Sequence, residues 1–154
     1  LRRRELIRSV AAASFLANVV FGFAPMLGIV LGTNIAGFAR DVPLDHCAVI
    51  ALNLIALTCC QTSIALCCSV VAEDVGGAVA RYVGVLFAFI TVDVVARVWD
   101  AGSWLKWLTP YGYFRPHGAI VGYGVPWLAI LVLVALTVAG VLAAETAMDR
   151  RRRA

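Results

Sequence analysis

The sequence predicts an all-α fold, a polytopic bundle of transmembrane helices, and three observations support this prediction. Of the 154 residues, 62% are apolar and 14% are charged, whereas soluble domains are near half apolar and a quarter charged. Three stretches carry no charge, at residues 9–39, 47–72 and 118–144. Each is longer than the roughly 20 residues that a helix needs to cross ~30 Å of hydrocarbon. Arginine clusters flank the chain at both ends.

A fourth apolar stretch, residues 76–98, contains Arg81 near one end and Asp93 and Arg97 near the other. We therefore predict four spans within a single transmembrane domain that covers residues 1–154. The spans are placed at residues 9–33, 47–71, 77–97 and 119–148. A soluble helical bundle is the alternative, but it would need polar stripes on its outward faces, and these segments are apolar on all sides.

The arginine clusters predict the orientation of the chain. Four arginines precede the first span and four follow the last. Lysine and arginine near the ends of spans are retained on the cytoplasmic side, and an even number of spans puts both clusters on the same side. We expect a multi-pass protein of the cell membrane with both termini in the cytoplasm. Topology and contact with anionic membrane lipid explain the net charge of +4. The sequence has no nucleic-acid recognition motif, so we do not expect a nucleic-acid partner.

Special residues within the first two spans predict breaks and contacts. Pro25 is expected to interrupt the first helix, and Gly28 and Gly32 form a G-x-x-x-G pattern that permits close helix approach. Polar side chains inside the second span are expected to face other helices and to form hydrogen bonds with them. These side chains are Asn53, Thr58, Gln61, Thr62 and Ser63.

The third span ends with Asp93 and Arg97 at i,i+4 spacing, which places both side chains on one helix face. We predict an intramembrane ion pair near the outer interface, where the long arginine side chain reaches toward water and anchors the helix. Ionised groups within a membrane are functional candidates by default, so a functional role for this pair stays open.

An aromatic segment at residues 99–118 separates the third span from the fourth. Aromatic rings with a polar edge concentrate at the level of the lipid headgroups. Ser103 is expected to cap a short helix that Pro110 ends. We predict a short interfacial or re-entrant helical hairpin on the outer side. Its main residues are Trp104, Trp107, Pro110, Tyr111 and Tyr113.

The sequence contains no catalytic motif and predicts no cofactor, so we do not expect an enzyme. A phosphate-binding G-x-x-x-x-G-K-[ST] is absent, and Lys106 is the only lysine. His46 and His117 lie too far apart in the sequence to suggest a metal site. Five cysteines are present. Cys47 is at the start of the second span, and the other four lie inside it, where a thiol behaves as a small apolar group. These four are Cys59, Cys60, Cys67 and Cys68.

Two segments resemble the permeases of ABC-2 type transporters. The first is DVPLDHCAVIALNLIALTCCQTSIALCCSVVAEDVGGAVARYVGVLFAFI, at residues 41–90, which is similar to the outer loop, span, cytoplasmic turn and span in the middle of these permeases. The second is WLKWLTPYGYFRPHGAIVGYG, at residues 104–124, which resembles their outer re-entrant region. The terminal arginine run is also similar to the usual ending of these proteins. With these segments, the resemblance covers nearly the whole chain.

The resemblance implies a membrane-spanning permease subunit that exports a substrate and is driven by a separate ATPase subunit. It also implies a homodimer or heterodimer of permeases, and a further two spans before Leu1, because the family usually has six. Permeases of this family meet their ATPase at two cytoplasmic segments, which correspond to residues 1–8 and 72–81. The implied contact residues are Arg4, Arg8, Glu73, Asp74 and Arg81.

Three other functions remain open from the sequence. An ion-coupled or passive four-helix transporter would need an intramembrane group that titrates, and Asp93 is the candidate. A membrane thiol oxidoreductase would use the cysteines of the second span. A subunit with a purely structural role in assembly would need neither a titrating intramembrane group nor reactive cysteines.

Overall fold

A computed structural model describes residues 3–37, 44–114 and 125–151 of the chain. Within these ranges, long helices α1 to α4 account for most of the chain, and two 3₁₀ helices, η1 and η2, lie between α3 and α4. No strand occurs among the described residues, so the predicted all-α fold is confirmed. The elements are α1 (Arg3–Ile35), α2 (Leu44–Val71), α3 (Val75–Val98), η1 (Asp100–Leu108), η2 (Pro110–Tyr113) and α4 (Trp127–Arg151).

All four long helices have the length and apolar composition needed to cross a membrane. The apolar windows lie at Ile7–Ile35, Asp45–Val71, Val75–Val98 and Trp127–Arg150. Few of their residues are buried inside the bundle, least of all in α3. Outward faces that remain apolar require a lipid environment, so the chain is a multi-pass helical membrane protein.

Helix α1 differs from its prediction at its start and at Pro25. It begins at Arg3, before the predicted first residue of the span, because arginine, glutamate and leucine favour the helix and extend it beyond the apolar stretch. Pro25 lies inside the helix and does not interrupt it. Proline removes a single N–H donor, and membrane helices tolerate this loss where the remaining backbone bonds persist.

The last span, α4, begins at Trp127. The predicted span, which starts at residue 119, is therefore wrong at residues 125 and 126, the described residues just before the helix. Val125 and Pro126 are not helical, and the amide of Ile130 bonds to the carbonyl of Pro126 at 3.1 Å. A proline fits the start of a helix, where its missing N–H has no partner to lose. The rest of the difference, residues 119–124, lies outside the described residues.

Helix α2 is the centre of the bundle. It contacts α1, α3, α4 and η2, and its most extensive contact is with α4. Helices α1 and α3 make no contact with each other within the described ranges. The cluster at the core of α2 and α4 comprises Ala56, Leu57, Cys60, Ile130 and Leu133. Small and apolar side chains therefore hold the central pair together.

Close approach of α2 and α4 occurs at Gly140. The Cys67 thiol donates to the Gly140 carbonyl at 3.0 Å, and a Cβ at Gly140 would lie 2.6 Å from the Ser63 hydroxyl oxygen. By contrast, a Cβ added at Gly28 or Gly32 would have no neighbouring atom within 4 Å. Their G-x-x-x-G pattern therefore makes no helix contact among the described residues.

The first and last helices meet at one end of the bundle. Ile7, Val70 and Ala144 form a buried cluster there, and Arg8 Nε donates to Glu145 Oε1 at 2.7 Å. The beginning of α1 and the end of α4 therefore lie at the same end of the bundle. We call this the charged end.

Replacing Gly140 with alanine should destabilise the bundle, although alanine is ordinarily favoured over glycine in a helix by roughly 0.5–1 kcal/mol. The added methyl group would meet Ser63, so we expect a loss of about 1–3 kcal/mol, measured as the free energy of unfolding in detergent micelles. Gly84→Ala is the matched control, because its Cβ would have no neighbour within 4 Å. Equal effects of the two substitutions would contradict the close packing at Gly140.

Candidate functional site

A polar groove lies between α1 and α3, on a floor formed by α2. Its volume is about 550 Å³, and none of its lining residues carries a formal charge. Apolar lining is provided by Ala17, Phe21, Ala65 and Leu86. The polar lining residues are Ser14 and Asn18 from α1, Thr58, Gln61 and Thr62 from α2, Tyr82 from α3 and Tyr111 from η2.

A chain of hydrogen bonds connects the α1 wall of the groove to its floor on α2. Asn18 Nδ2 donates to Thr62 Oγ1 at 2.8 Å, and the Thr62 hydroxyl donates to the Thr58 carbonyl at 2.9 Å. The Thr58 hydroxyl in turn donates to the Ile55 carbonyl at 3.0 Å. These bonds satisfy the polar atoms of α2 locally and attach α1 to it, as expected of polar side chains inside spans.

Two amide side chains on α2 differ from this pattern. Asn53 is 2% exposed, and among the described residues neither its amide nitrogen nor its oxygen has a hydrogen-bond partner. The same holds for Gln61, which lies near Tyr111 without forming a hydrogen bond of good geometry. The expectation of a hydrogen bond to another helix is therefore wrong for Asn53 within the described ranges. Gln61 does face another element, because it lines the groove beside Tyr111 of η2.

Tyr111 closes one end of the groove and remains a hydrogen-bond donor. Burial raises the pKa of its hydroxyl above the ordinary value, and the nearby Tyr82 and Asp93 raise it further, while a polar contact with Gln61 opposes the shift. A tyrosine with a raised pKa is protonated at neutral pH. The Tyr111 hydroxyl therefore presents a proton to a groove that carries no charge.

The aromatic segment positions Tyr111 by folding back onto the bundle. Thr109 caps η2, with its hydroxyl accepting from the Gly112 amide at 3.3 Å, and a Cβ at Gly112 would overlap the Lys106 carbonyl. Tyr111, Tyr113 and Phe114 pack against the buried cluster shared by α2 and α4. Tyr111 also lines the groove together with Thr58, which lies at the middle of α2, so this part of the segment re-enters the bundle.

The other predicted residues of this segment lie at its surface or in its turn. Trp104 and Trp107 are exposed, Pro110 is buried, and Tyr113 is half-buried. The Tyr113 hydroxyl donates to the Trp107 carbonyl at 2.9 Å, and their rings meet edge to face with centroids 5.7 Å apart. Ser103 is not a cap, because η1 begins at Asp100, three residues earlier.

Arg8, Glu73 and Asp74, three of the predicted ATPase contacts, lie near the charged end. Arg8 pairs with Glu145 there, and Glu73 and Asp74 follow Val70, which packs in the buried cluster at this end. Glu73 and Arg81 are exposed. Arg4 belongs to α1, but its side chain lies outside the described part of the structure.

Asp74 has a structural role that the sequence prediction missed. It is the N-cap of α3, and its Oδ1 accepts the Gly77 amide hydrogen at an N···O distance of 2.6 Å. A capping carboxylate satisfies one of the unpaired amides in the first turn and interacts favourably with the helix dipole. The geometry at Asp74 is therefore explained without a partner protein.

The predicted ion pair is present in the structure. Arg97 Nε donates to Asp93 Oδ2 at 2.8 Å, with the arginine side chain 66% exposed and the aspartate side chain 13% exposed. The second oxygen of Asp93 is buried and has no hydrogen-bond partner among the described residues. The arginine thus extends outward while the carboxylate stays within the bundle.

The cysteines pack within the bundle. All five are free thiols, Cys60 is buried in the cluster of α2 and α4, and Cys67 bonds to Gly140. Within the described ranges, no group of three or more histidine, cysteine, aspartate or glutamate side chains is arranged to hold a metal ion. Cys60 and Cys67 therefore have packing roles in the described structure.

Three polar lining residues of the groove were not singled out from the sequence: Ser14, Asn18 and Tyr82. Ser14 and Asn18 are four residues apart and so share one face of α1, which was an available signal. Tyr82 carried no signal beyond its aromatic ring, because its position depends on how α3 packs on α2.

Comparison of the chain with models of known protein families, with curated proteins and with solved structures finds no match.

Combining Asn18→Ala and Thr62→Val should reveal a coupling between α1 and α2. We expect a coupling free energy of about 0.6 kcal/mol, and at most about 1.7 kcal/mol, from a double-mutant cycle of unfolding in micelles. Asn34→Ala is the matched control, because Asn34 bonds to Val30 within its own helix. The interhelical bond would be ruled out if the cycle of Thr62→Val with Asn18→Ala gave no larger coupling free energy than the cycle of Thr62→Val with Asn34→Ala.

Asp74→Ala should lower the free energy of unfolding by roughly 0.5–2 kcal/mol, because it removes the cap of α3. Asp74→Asn should retain most of the stability, because asparagine caps nearly as well. Glu73→Ala serves as a control at the neighbouring exposed carboxylate. Thermal unfolding in detergent measures all three. A loss of stability at Glu73 as large as at Asp74 would argue against the cap.

Proposed function

We propose that the chain is a membrane-spanning permease subunit of an ABC-2 type transporter, an exporter driven by a separate ATPase subunit. The observation that carries the proposal is the polar groove among helices whose outward faces are apolar. Buried polar groups without partners are costly in hydrocarbon. A bundle that served only as an anchor would gain nothing from such a groove, whereas a transporter needs polar surface along the path of its substrate.

The charged end supports an ATPase as the partner. It joins the start of α1 to the end of α4 through Arg8 and Glu145, and it lies beside the turn that connects α2 and α3. A protein seated there would touch every long helix of the bundle. The chain has no phosphate-binding loop of its own, so ATP-driven movement requires another subunit.

The proposed mechanism is alternating access in a dimer of permeases, formed by two identical or two related chains in the cell membrane, with both termini in the cytoplasm. ATP-driven closure of the ATPase subunits moves the charged end and rearranges the helices around the groove. A partner shifts such an equilibrium only by binding one arrangement more tightly than the other. Contacts at Glu73 and Arg81 would therefore differ between the two arrangements.

An ion-coupled transporter is the second candidate, and the buried, unpartnered oxygen of Asp93 favours it. In that case transport would follow an ion gradient without ATP. Asp93→Asn would then abolish transport while the bundle stayed folded.

Affinity purification of the tagged chain from its native membranes in mild detergent tests the ATPase partner. We expect a P-loop ATPase to co-purify and to hydrolyse ATP. Glu73→Lys should reduce the amount of co-purified ATPase at least about fivefold, equivalent to roughly 1 kcal/mol, because Glu73 is exposed beside the charged end and bonds to none of the described residues.

Asp100→Lys is the matched control, since Asp100 is an exposed carboxylate at the opposite end of α3. It should leave the co-purified ATPase unchanged. Absence of any ATPase from the purified complex would reject the proposed partner. Equal losses of ATPase with Glu73→Lys and Asp100→Lys would reject the charged end as its binding surface.

A further inference from the structure

The groove is open on one side. Helices α1 and α3 both pack on α2 but do not contact each other within the described ranges. Phe21, which lines the groove on α1, is 74% exposed, and Val83, next to the lining residue Tyr82 on α3, is 53% exposed. Such faces lie in lipid in a membrane bundle. The opening therefore leads from the hydrocarbon into the groove.

Several polar atoms of the groove are available to a ligand. The hydroxyls of Ser14 and Tyr82 form no hydrogen bond with any described residue, and Asn18 uses only its amide nitrogen. Tyr111 offers a protonated hydroxyl. Beneath this surface, the amide of Gln61 is buried without a partner. Such polar groups inside hydrocarbon call for a hydrogen-bonding occupant.

Charge selects the class of this occupant. No lining residue is ionised. Arg81, next to Tyr82 on α3, is exposed, and the Asp93 carboxylate further along α3 is paired with Arg97. An ionised ligand would therefore lose its hydration without gaining a counter-charge. The volume of about 550 Å³ lies within the range of small-molecule sites, roughly 300–1,000 Å³.

We propose that the groove binds a neutral amphiphile, a molecule with an uncharged hydroxyl or amide head and an apolar body, which enters sideways from the lipid between α1 and α3. The head bonds to Ser14, Asn18, Tyr82 and Tyr111, while the body lies along Phe21 and the open side. That this amphiphile is the exported substrate rests on the proposed function. Its binding does not, because every lining residue of the groove belongs to this chain and the binding test uses no partner.

Photolabelling of the full chain in lipid vesicles tests this binding. The probe is a neutral aryl-diazirine alcohol, and mass spectrometry locates the label. We expect saturable labelling of the groove-lining parts of α1 and α2, with competition by a neutral amphiphile. The competitors are dodecanol, dioleoylglycerol, dodecanoate and dodecyltrimethylammonium. Competition by dodecanol alone identifies a free amphiphile, and competition by dioleoylglycerol identifies a lipid; the two charged compounds should not compete.

Variants of the lining separate binding from partition into the bilayer. Ser14→Ala combined with Tyr82→Phe removes two free hydroxyls with little change in volume, and should raise the probe concentration for half-saturation at least fivefold. Ala65→Trp fills the groove and should abolish saturable labelling while the helical content is retained. Thr91→Val is the matched control, because Thr91 is exposed on α3 and bonds only to its own helix.

Labelling that rises linearly with probe concentration would overturn the site, and so would equal competition by the charged compounds. Wild-type labelling of the variant with both Ser14 and Tyr82 replaced would overturn it as well. The measurement uses neither ATP nor a partner protein. Failure here together with a co-purifying ATPase would therefore reject the groove as the binding site and leave the transporter proposal standing. Saturable labelling without a co-purifying ATPase would support the site and reject that proposal.

Discussion

Hydrocarbon offers no hydrogen-bond partner, and this constraint governs the whole structure. Backbone groups within a membrane must be satisfied internally, which requires helices across each span. Polar side chains come under the same requirement, so they bond to carbonyls of their own helix, as Thr58 and Thr62 do, or reach a neighbour, as Asn18 does. Helix α2 carries most of them and is accordingly the helix that all the other long helices contact.

The groove follows from the arrangement around α2. Contact with α4 is close because Gly140 accommodates Ser63, so this side of α2 is filled. On the other side, α1 and α3 each cover part of α2 without meeting, and the space between them retains polar atoms. The re-entrant segment closes only one end, through Tyr111. A site with polar walls and a lipid-facing opening results from incomplete packing around one central helix.

Sequence reasoning predicted what depends on local composition and missed what depends on which helix faces meet. Charge-free stretches predicted four spans, and i,i+4 spacing predicted the pair of Asp93 and Arg97, because both properties are local. Gly28 and Gly32 were expected to allow close approach, yet Gly22 and Gly140 lie against neighbouring helices instead. The groove could not be predicted, because Asn18 and Tyr82 acquire their places only when α1 and α3 pack on α2.

The most direct test of the account is the side of the membrane on which each end of the bundle lies. Glu5→Cys, Thr146→Cys and Asp100→Cys would be placed singly in a variant whose five native cysteines are replaced by alanine. A membrane-impermeant maleimide is then added to sealed vesicles of uniform orientation. We predict that the first two sites react from one side and Asp100→Cys reacts from the other. Reaction of Glu5→Cys and Thr146→Cys from opposite sides would contradict a bundle of four crossings.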